Sequence, residues 1–396
     1  MRVKRLILLL LIFPFIGRAQ TIIISGKVTT NVSHTGIGNV SVFLSNSSFG
    51  TTTADDGTFR LTGVKPGQYT LVASSIGFEE FTQAVLVGSD AITLDITLNP
   101  KVNQLRGVVI STPADWKRNY EMFSKQFIGD DENAKKCEVK NPHEVNLIYH
   151  GKKLELEAWT NDFLVIENKA LGYRVKFLVD TFSSSGIRDV TQWQGQVVFQ
   201  ELPGSAAQKK IWKQKRAETY YGSSRHFLRS LYKNTLGQEG FIVYKLVREV
   251  NPDRPDEGTI LRNIKKFQQS HFRDSLSYWI SKQNMSRYYH ENLIRQPLQP
   301  YQIFATTNQP GIFLLHFTDY LYVIYTKRHE ETDFKDIYRP LDMENFETSV
   351  LTLHSPYAVF DMNGVIFKDV PLNEGTWSKS KIADLLPFNY SPEDDK

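Results

Sequence analysis

Short β-branched runs, separated by turn residues, fill residues 21–98 and constrain the fold more than any other feature of the chain. The runs are "TIIISGKVTT", "VSVFLS", "TFRLTGV", "YTLVASSIGF", "TQAVLVG" and "AITLDITL". In the third run Phe59 and Leu61 point to one side of an extended chain, and Arg60 points to the other. Short, regularly punctuated strands with a period of two predict an all-β sandwich.

The segment Asp55-Asp56-Gly57 raises the question of an ion site, because it places two carboxylates beside a glycine. A calcium loop of the EF-hand type needs acidic or amide ligands at alternate positions and a late Glu, whereas "ADDGTFRLTGVK" contains one adjacent acidic pair. Adjacent carboxylates in an extended segment also point to opposite faces. We therefore expect a hairpin at Asp56-Gly57 and a second turn at Pro66-Gly67, rather than a metal site.

Several stretches of this region together resemble a known family. They are "GKVTT", "GIGNVSVFL", "GTTTADDGTFRLTGVKPGQYTLVASSIGFEEF" and "ITLDITLNP". As a set they resemble the carboxypeptidase-regulatory-like domain, a transthyretin-like β-sandwich, which we assign to residues 20–100. The resemblance implies a non-catalytic accessory module of exported Bacteroidota envelope proteins, with a carbohydrate-binding-like fold.

The N-terminal stretch "MRVKRLILLLLIFPFIGRA" places three basic residues before an apolar run and ends in small residues. This pattern predicts a signal peptide over residues 1–19, cleaved after Ala19. Pro14 interrupts the run, which is also shorter than the roughly 20 apolar residues that span a bilayer. We therefore expect an exported protein without a transmembrane helix, in the periplasm or on the periplasmic face of the outer membrane, with the cell surface as an alternative.

Charge argues against a nucleic-acid partner, and cysteine content excludes two kinds of cysteine-based structure. The formal charge is +4, but four basic residues leave with the signal peptide, so the mature chain carries 43 basic against 43 acidic residues. A neutral chain is not steered toward a polyanion, and we expect no nucleic-acid partner. Cys137 is the only cysteine, which excludes an intramolecular disulfide and a cysteine-rich zinc site.

The rest of the chain is predicted to be a linker, residues 101–114, and a β-rich α+β domain with a few helices, residues 115–392. Aromatic residues recur at helical spacing in "PADWKRNYEMFSKQFIG", which predicts a helix that begins near Pro113. Several alternating runs then predict antiparallel strands, and Asn363-Gly364 predicts a late hairpin. Stretches such as "AETYYGSSRHFLRSL" resemble exported Bacteroidota proteins that pair this region with the regulatory-like module, and no activity is assigned to that group.

Residues 209–233 carry eight Lys or Arg against one Glu. The second half of this segment predicts a helix that is capped by Ser223 or Ser224 and ends before Gly237. The segment could bind a lipid headgroup, an acidic glycan or an acidic envelope protein, or it could be a solvated helix face with aliphatic stems over a core. The candidate residues for an anionic ligand or partner surface are Lys209, Lys210, Lys213, Arg216, Arg225, His226 and Arg229.

No motif for catalysis, a cofactor or a metal is found in the sequence. A carboxypeptidase zinc site would need His-x-x-Glu, and none of the nine histidines is followed three positions later by Glu. Three His-Glu pairs, at His143, His290 and His329, lack the second His of a helical zinc-protease site. Ser223, Ser224 and His226 lack the glycine pattern of a nucleophile elbow.

The function predicted from these features is a non-catalytic binding or scaffolding protein of the cell envelope, with a carbohydrate or another envelope component as ligand. One alternative is an envelope hydrolase acting on peptide, glycan or ester, with its site in the C-terminal domain. A lesser alternative is an outer-membrane β-barrel formed by residues 140–390, although runs such as "KKLELEAW" give no consistently apolar outward face.

Overall fold

Two β-sheets packed face to face form the N-terminal part of the chain. The computed structural model describes residues 22–101, 112–151, 153–186, 190–268, 272–330 and 343–395, so the predicted signal peptide and most of the predicted linker lie outside the described residues. The first seven strands are β1 (Ile22–Thr30), β2 (Ser41–Leu44), β3 (Gly50–Thr52), β4 (Thr58–Val64), β5 (Gly67–Ser74), β6 (Phe81–Val87) and β7 (Ile92–Leu98).

The two sheets have the strand orders β4-β1-β7 and β3-β2-β5-β6, and β1 and β7 run parallel. Alternate residues of each strand face the space between the sheets. Phe59 and Leu61 are buried there while Arg60 is exposed, as the period of two predicts. The predicted sandwich is therefore confirmed.

The turn at Asp56-Gly57 has a different role from the one predicted. Gly57 has φ 85°, and the Asp56 carboxylate accepts hydrogen bonds from the backbone N–H and the hydroxyl of Thr58. The flanking strands β3 and β4, however, belong to different sheets and do not pair with each other. The prediction of a hairpin was wrong, because the chain crosses from one sheet to the other at this corner. The turn at Pro66-Gly67 makes the same kind of crossing.

A six-stranded antiparallel sheet, covered by one helix, follows the sandwich. Its elements are α1 (Pro113–Phe127), β8 (Cys137–Val139), β9 (Val145–His150), β10 (Glu155–Thr160), β11 (Leu164–Asn168), β12 (Tyr173–Ser185) and β13 (Val190–Glu201). The strand order is β8-β11-β12-β10-β9, and β13 pairs with β12. Helix α1 begins where the sequence predicts, with the Thr112 hydroxyl accepting from the Asp115 N–H at 3.1 Å. Its Phe123 and Phe127 are buried against the sheet.

The remaining elements form two further sheets with short helices between them. They are α2 (Ala206–Tyr220), α3 (Ser224–Tyr232), α4 (Leu236–Glu239), β14 (Phe241–Val250), α5 (Glu257–Gln268), α6 (Arg273–Asn284), β15 (Tyr288–Ile294), β16 (Phe304–Thr306), β17 (Ile312–Leu315), β18 (Tyr320–His329), β19 (Phe346–Thr352), β20 (Ala358–Asp361), β21 (Ile366–Lys368), β22 (Leu372–Gly375) and α7 (Thr376–Lys379). The sheet orders are β15-β14-β18-β19-β22 and β16-β17-β20-β21. The predicted fold class, mostly β with a β-rich α+β region after the sandwich, is confirmed.

Local predictions in this region are confirmed in part. Ser223 caps α3, and the hairpin at Asn363-Gly364 joins β20 to β21. Helix α3 ends at Tyr232, before Gly237 as predicted, but the left-handed residue after it is Asn234, with φ 57°, and Gly237 lies inside α4. No helix among the described ranges combines the length and apolarity that a membrane span requires.

The turn between β2 and β3 docks the sandwich onto the larger region. The Asn46 N–H donates to the Val197 carbonyl at 2.6 Å, and the Phe199 N–H donates to the Ser47 carbonyl at 3.0 Å. The Ser47 and Asn46 backbone thereby extends the edge of β13. Phe43 packs against Phe163 with ring centroids 5.8 Å apart. The sandwich is therefore attached through both backbone hydrogen bonds and an apolar contact.

Candidate functional site

A cavity of about 280 Å³ lies between α3, the β20–β21 hairpin, α7 and the C-terminal segment, which we define as residues 380–390. Apolar side chains make most of its wall, among them Phe227, Leu228 and Trp377. Two charged side chains, Arg225 and Asp384, line it as well. Apolar concave surfaces with a few polar groups are the usual form of small-molecule sites, and this cavity, named the Arg225 cavity below, has that form.

Helix α3 positions Arg225 because separate contacts fix its first turn and its later residues. The Ser223 hydroxyl accepts from the His226 N–H at 3.2 Å and donates to the Tyr220 carbonyl at 2.6 Å, which fixes the first turn. Farther along, Phe227 and Leu231 are buried in the core and fix the rotation of the helix. The first turn of α3, including Arg225, is left facing the cavity.

Gly364 allows the β20–β21 hairpin to lie against α3. Its φ is 73°, and a Cβ atom added there would come within 2.5 Å of the Arg225 carbonyl oxygen. A side chain at this position would therefore face both backbone strain and a steric clash. The close approach of hairpin and helix closes one side of the cavity.

Arg225, which lines this cavity, has one hydrogen-bond donor without a partner among the described residues. Its Nη1 donates to the carbonyls of Pro387 at 2.6 Å and Leu386 at 3.2 Å. Its Nη2 is sealed from solvent and has no hydrogen-bond partner among the described residues. Burial, with a further contribution from the neighbouring Arg229, lowers the pKa of Arg225 to about 9, so the group is charged at neutral pH. No carboxylate in the described part of the chain lies within ion-pair distance of it.

Arg229, one helical turn on, is buried, whereas Arg225 is half-buried, and it holds neutral groups. It donates from Nε to the Asn363 carbonyl at 2.8 Å and from Nη1 to the Tyr390 carbonyl at 3.1 Å. The buried carboxylate of Asp361 acts on it electrostatically, but that carboxylate accepts its own hydrogen bonds from Asn363 and Val365. Two adjacent guanidinium groups are thus bonded mainly to carbonyl oxygens. A buried charge is stabilised far better by a counter-charge, so the cavity favours an anion.

Asp384 is the acidic side chain that lines the Arg225 cavity. Its Oδ1 accepts from the Asn133 amide at 2.8 Å. Burial and the neighbouring Asp131 raise the pKa of Asp384 to about 6. It forms no ion pair with Arg225 or with any other described cation, although Arg225 and Asp384 line the same cavity. The Arg225 cavity therefore presents a positive and a negative group that do not neutralise each other directly.

The structure separates the residues predicted to bind an anion. Lys209, Lys210 and Lys213 are exposed on α2. Arg216, on the same helix, is buried, and its Nε donates to the Leu171 carbonyl at 2.7 Å while its Nη2 contacts Glu201 at 3.0 Å. Anion binding by the three lysines stays a prediction, whereas the guanidinium of Arg216 is occupied within the fold.

The other predicted residues lie on α3. His226 accepts from the Gly222 N–H at Nδ1, at 3.1 Å, so its Nε2 carries the hydrogen that faces Glu239 at 3.2 Å. Burial lowers the pKa of His226 to about 4, against the opposing effect of Glu239. The structure thus brings Arg225 and Arg229 together at the C-terminal segment. Asp384 was not singled out from the sequence, because nothing in "KIADLLPF" distinguishes it from a surface carboxylate.

A family model described as CarboxypepD_reg-like domain matches residues 24–110. The N-terminal sandwich is a carboxypeptidase-regulatory-like domain. The match covers this regulatory-like domain and leaves the region that contains the Arg225 cavity unassigned. No curated protein matches the chain.

Several solved structures are similar to part of the chain, at low sequence identity. A cohesin–X-dockerin complex mutant from Acetivibrio cellulolyticus is 19% identical, over 19% of this chain and 56% of that one, with a TM-score of 0.18. A DUF3823 family protein from Parabacteroides merdae is 13% identical over 49% and 85%, with a TM-score of 0.18. A putative carbohydrate binding protein from Bacteroides uniformis is 11% identical over 46% and 99%, also with a TM-score of 0.18. Likenesses at these scores establish no function.

Proposed function

We propose that the protein is an exported binding protein of the cell envelope, and that the Arg225 cavity holds a small ligand with an anionic group on an apolar body. The observation that carries this proposal is that Arg225, whose Nη2 atom has no hydrogen-bond partner among the described residues, lines a mostly apolar cavity. The regulatory-like domain is the accessory module, docked on the larger region through the β2–β3 turn.

An anion is the ligand group that best satisfies this site. A hydrogen bond to a charged group contributes about 1.5–3 kcal/mol, and an unmet buried donor costs a comparable amount. The cavity is also lined by the first turn of α3, where the helix dipole places partial positive charge. Both effects favour a carboxylate or phosphate over a neutral group.

The geometry favours binding over hydrolysis at this cavity. The residues that line it include Ser223 and Ser224 but no histidine. The Ser223 hydroxyl is engaged by Tyr220 and His226 backbone groups, and no hydrogen bond among the described residues joins Ser223 or Ser224 to the Asp384 carboxylate. The cavity therefore shows no hydrogen-bonded pair of nucleophile and base.

Calorimetric titration with 3-phenylpropanoate, and with the neutral 3-phenylpropan-1-ol as matched control, tests the proposal. We expect the carboxylate to bind about tenfold more tightly than the alcohol, a difference of about 1.4 kcal/mol. Arg225→Met should remove that difference, and Arg225→Lys should retain part of it because the positive charge stays. Equal binding of the two compounds to the wild-type protein, or binding of neither at about 10 mM, would contradict the proposal.

The export component rests on the N-terminal sequence and has its own test. Mass spectrometry of the protein recovered from cells should show a mature chain that begins at Gln20. A recovered chain that begins at Met1 would count against an exported location. Sugar binding by the regulatory-like domain stays a prediction, which a glycan array of the intact protein would test.

A further inference from the structure

Two groups of opposite charge, Arg225 and Asp384, line the Arg225 cavity. Each of them also has a neighbour of its own charge, Arg229 beside Arg225 and Asp131 beside Asp384. Like charges placed together destabilise each other unless a counter-charge lies between them. A single anion at Arg225 would leave Asp384 without a counter-charge.

We propose that the ligand of this cavity is an α-amino acid with an apolar side chain, bound as a zwitterion; this rests on the function proposed above. Its carboxylate would accept from Nη2 of Arg225, and its ammonium group would donate to Asp384. The side chain would pack on Phe227, Leu228 and Trp377, which line the same cavity. Each polar group of the ligand then meets a partly buried partner of opposite charge.

The surroundings of Asp384 support an ammonium ligand. Asp384 interacts electrostatically with the Asp131 carboxylate and the Cys137 thiol, and it accepts one hydrogen bond from the Asn133 amide. Asp131 interacts electrostatically with Lys135, whose ion pair is with Glu132 and which is exposed. None of the described residues supplies Asp384 with an ion-pair partner, so a ligand cation would be the first.

The size of the cavity supports a single small molecule. Pockets for drug-sized ligands run from about 300 to 1,000 Å³. At about 280 Å³ the Arg225 cavity lies just below that range. An amino acid fits this volume better than a lipid chain or a polysaccharide does.

Three related probes test the inference on the intact protein: L-phenylalanine, 3-phenylpropanoate, which lacks the ammonium group, and 2-phenylethylamine, which lacks the carboxylate. We expect L-phenylalanine to bind about tenfold more tightly than either of the others at about pH 7.5. Asp384→Asn should reduce binding of L-phenylalanine to the level of 3-phenylpropanoate, without weakening 3-phenylpropanoate itself. This variant should fold, because the substitution removes a repulsion with Asp131.

The pH dependence gives a second readout. The ratio of the affinity for L-phenylalanine to that for 3-phenylpropanoate should fall at about pH 5, because Asp384, with a pKa of about 6, is then mostly protonated. In the Asp384→Asn protein this preference for L-phenylalanine should be absent at both pH values. L-leucine and 4-methylpentanoate repeat the comparison with a smaller side chain.

The two proposals fail in different ways. If each amino acid binds no better than its deaminated acid, the zwitterion proposal is overturned while anion binding at Arg225 stands. If neither the acids nor the amino acids bind, both proposals are overturned. If the amines bind as tightly as the amino acids, Arg225 is not the anchor and the proposed function is also wrong.

Discussion

Residues of the same type have different roles here according to which face of an element they occupy. On α2 the lysines at 209, 210 and 213 are exposed, while Arg216 is buried against β11–β12 backbone and stacks over the Tyr173 ring at 3.9 Å. The basic composition of the segment therefore does not describe one surface. Within this segment the guanidinium groups that turn inward, those of Arg216, Arg225 and Arg229, donate to main-chain carbonyls.

Replacing Arg216 with Met tests whether this residue is part of the core while the lysines of α2 are on the surface. The change leaves the Leu171 carbonyl and the Glu201 carboxylate without the hydrogen bonds that Arg216 donates, so we expect the free energy of unfolding to fall by about 2–4 kcal/mol. Lys210→Met, on the exposed face of the same helix, is the matched control and should change it by less than about 0.5 kcal/mol. Urea unfolding monitored by circular dichroism measures both. Equal losses for the two variants would contradict the burial of Arg216.

At the scale of elements, close approaches of turns and helices shape the cavity. Gly364 lets the β20–β21 turn contact Arg225, and Gly67 lies so close to Asn363 that a Cβ there would be 2.4 Å from its Nδ2. The hairpin therefore lies between α3 and the sandwich. Changes to this turn should affect both neighbours.

Gly364→Ala tests the role of the hairpin. We expect a loss of more than about 1 kcal/mol of stability, because the alanine would combine left-handed strain with a clash against α3. It should also weaken 3-phenylpropanoate binding, since the wall of the cavity moves. Gly237→Ala is the control: it lies within α4 with open space around it and should be neutral or stabilising. Unchanged stability and binding in Gly364→Ala would contradict the packing described here.

Sequence periodicity predicted the elements better than it predicted their partners. The strands of the sandwich, helix α1 and the Asn363-Gly364 hairpin follow from local patterns. Helix α2 was missed because its inward face is made of Trp212, Arg216 and Tyr220, and an arginine at a core position hides the apolar period. The sheet assignment of β3 and β4 depends on long-range pairing, which turn residues do not encode. Arg225 and Asp384 come from distant parts of the chain and line the same cavity. No local sequence motif predicts that they lie together.

At the scale of the whole molecule, the sandwich and the larger region meet through a specific interface. Phe43 is buried with Val72 and Val198, and the Phe388 N–H donates to the Asn46 carbonyl at 2.7 Å. The C-terminal segment thus contacts both the regulatory-like domain and Arg225. At the same interface Glu80, which precedes β6, faces Asp180 of β12, and its Oε2 is buried without a hydrogen-bond partner in the described chain.

Glu80→Gln tests the energetics of this interface. Burial, with a contribution from Asp180, raises the pKa of Glu80 to about 7. A raised carboxyl pKa gives stability that is fully present below the unfolded pKa and is lost as the pH rises through about 7. We therefore expect the variant to be more stable than the wild type by about 1 kcal/mol near pH 8, and equally stable near pH 4. Denaturant unfolding at the two pH values measures this, with Glu79→Gln as the exposed control; a variant that is less stable near pH 8 would refute the assignment.

The central claim is that the Arg225 cavity binds an anion on an apolar body. A crystal structure of the wild-type protein grown with saturating 3-phenylpropanoate tests it most directly. We predict a carboxylate oxygen at about 2.7–3.2 Å from Nη2 of Arg225, with the phenyl ring against Phe227 and Trp377. Ordered water alone in the cavity at saturating ligand, or the ligand bound elsewhere with Nη2 still unpartnered, would contradict the claim.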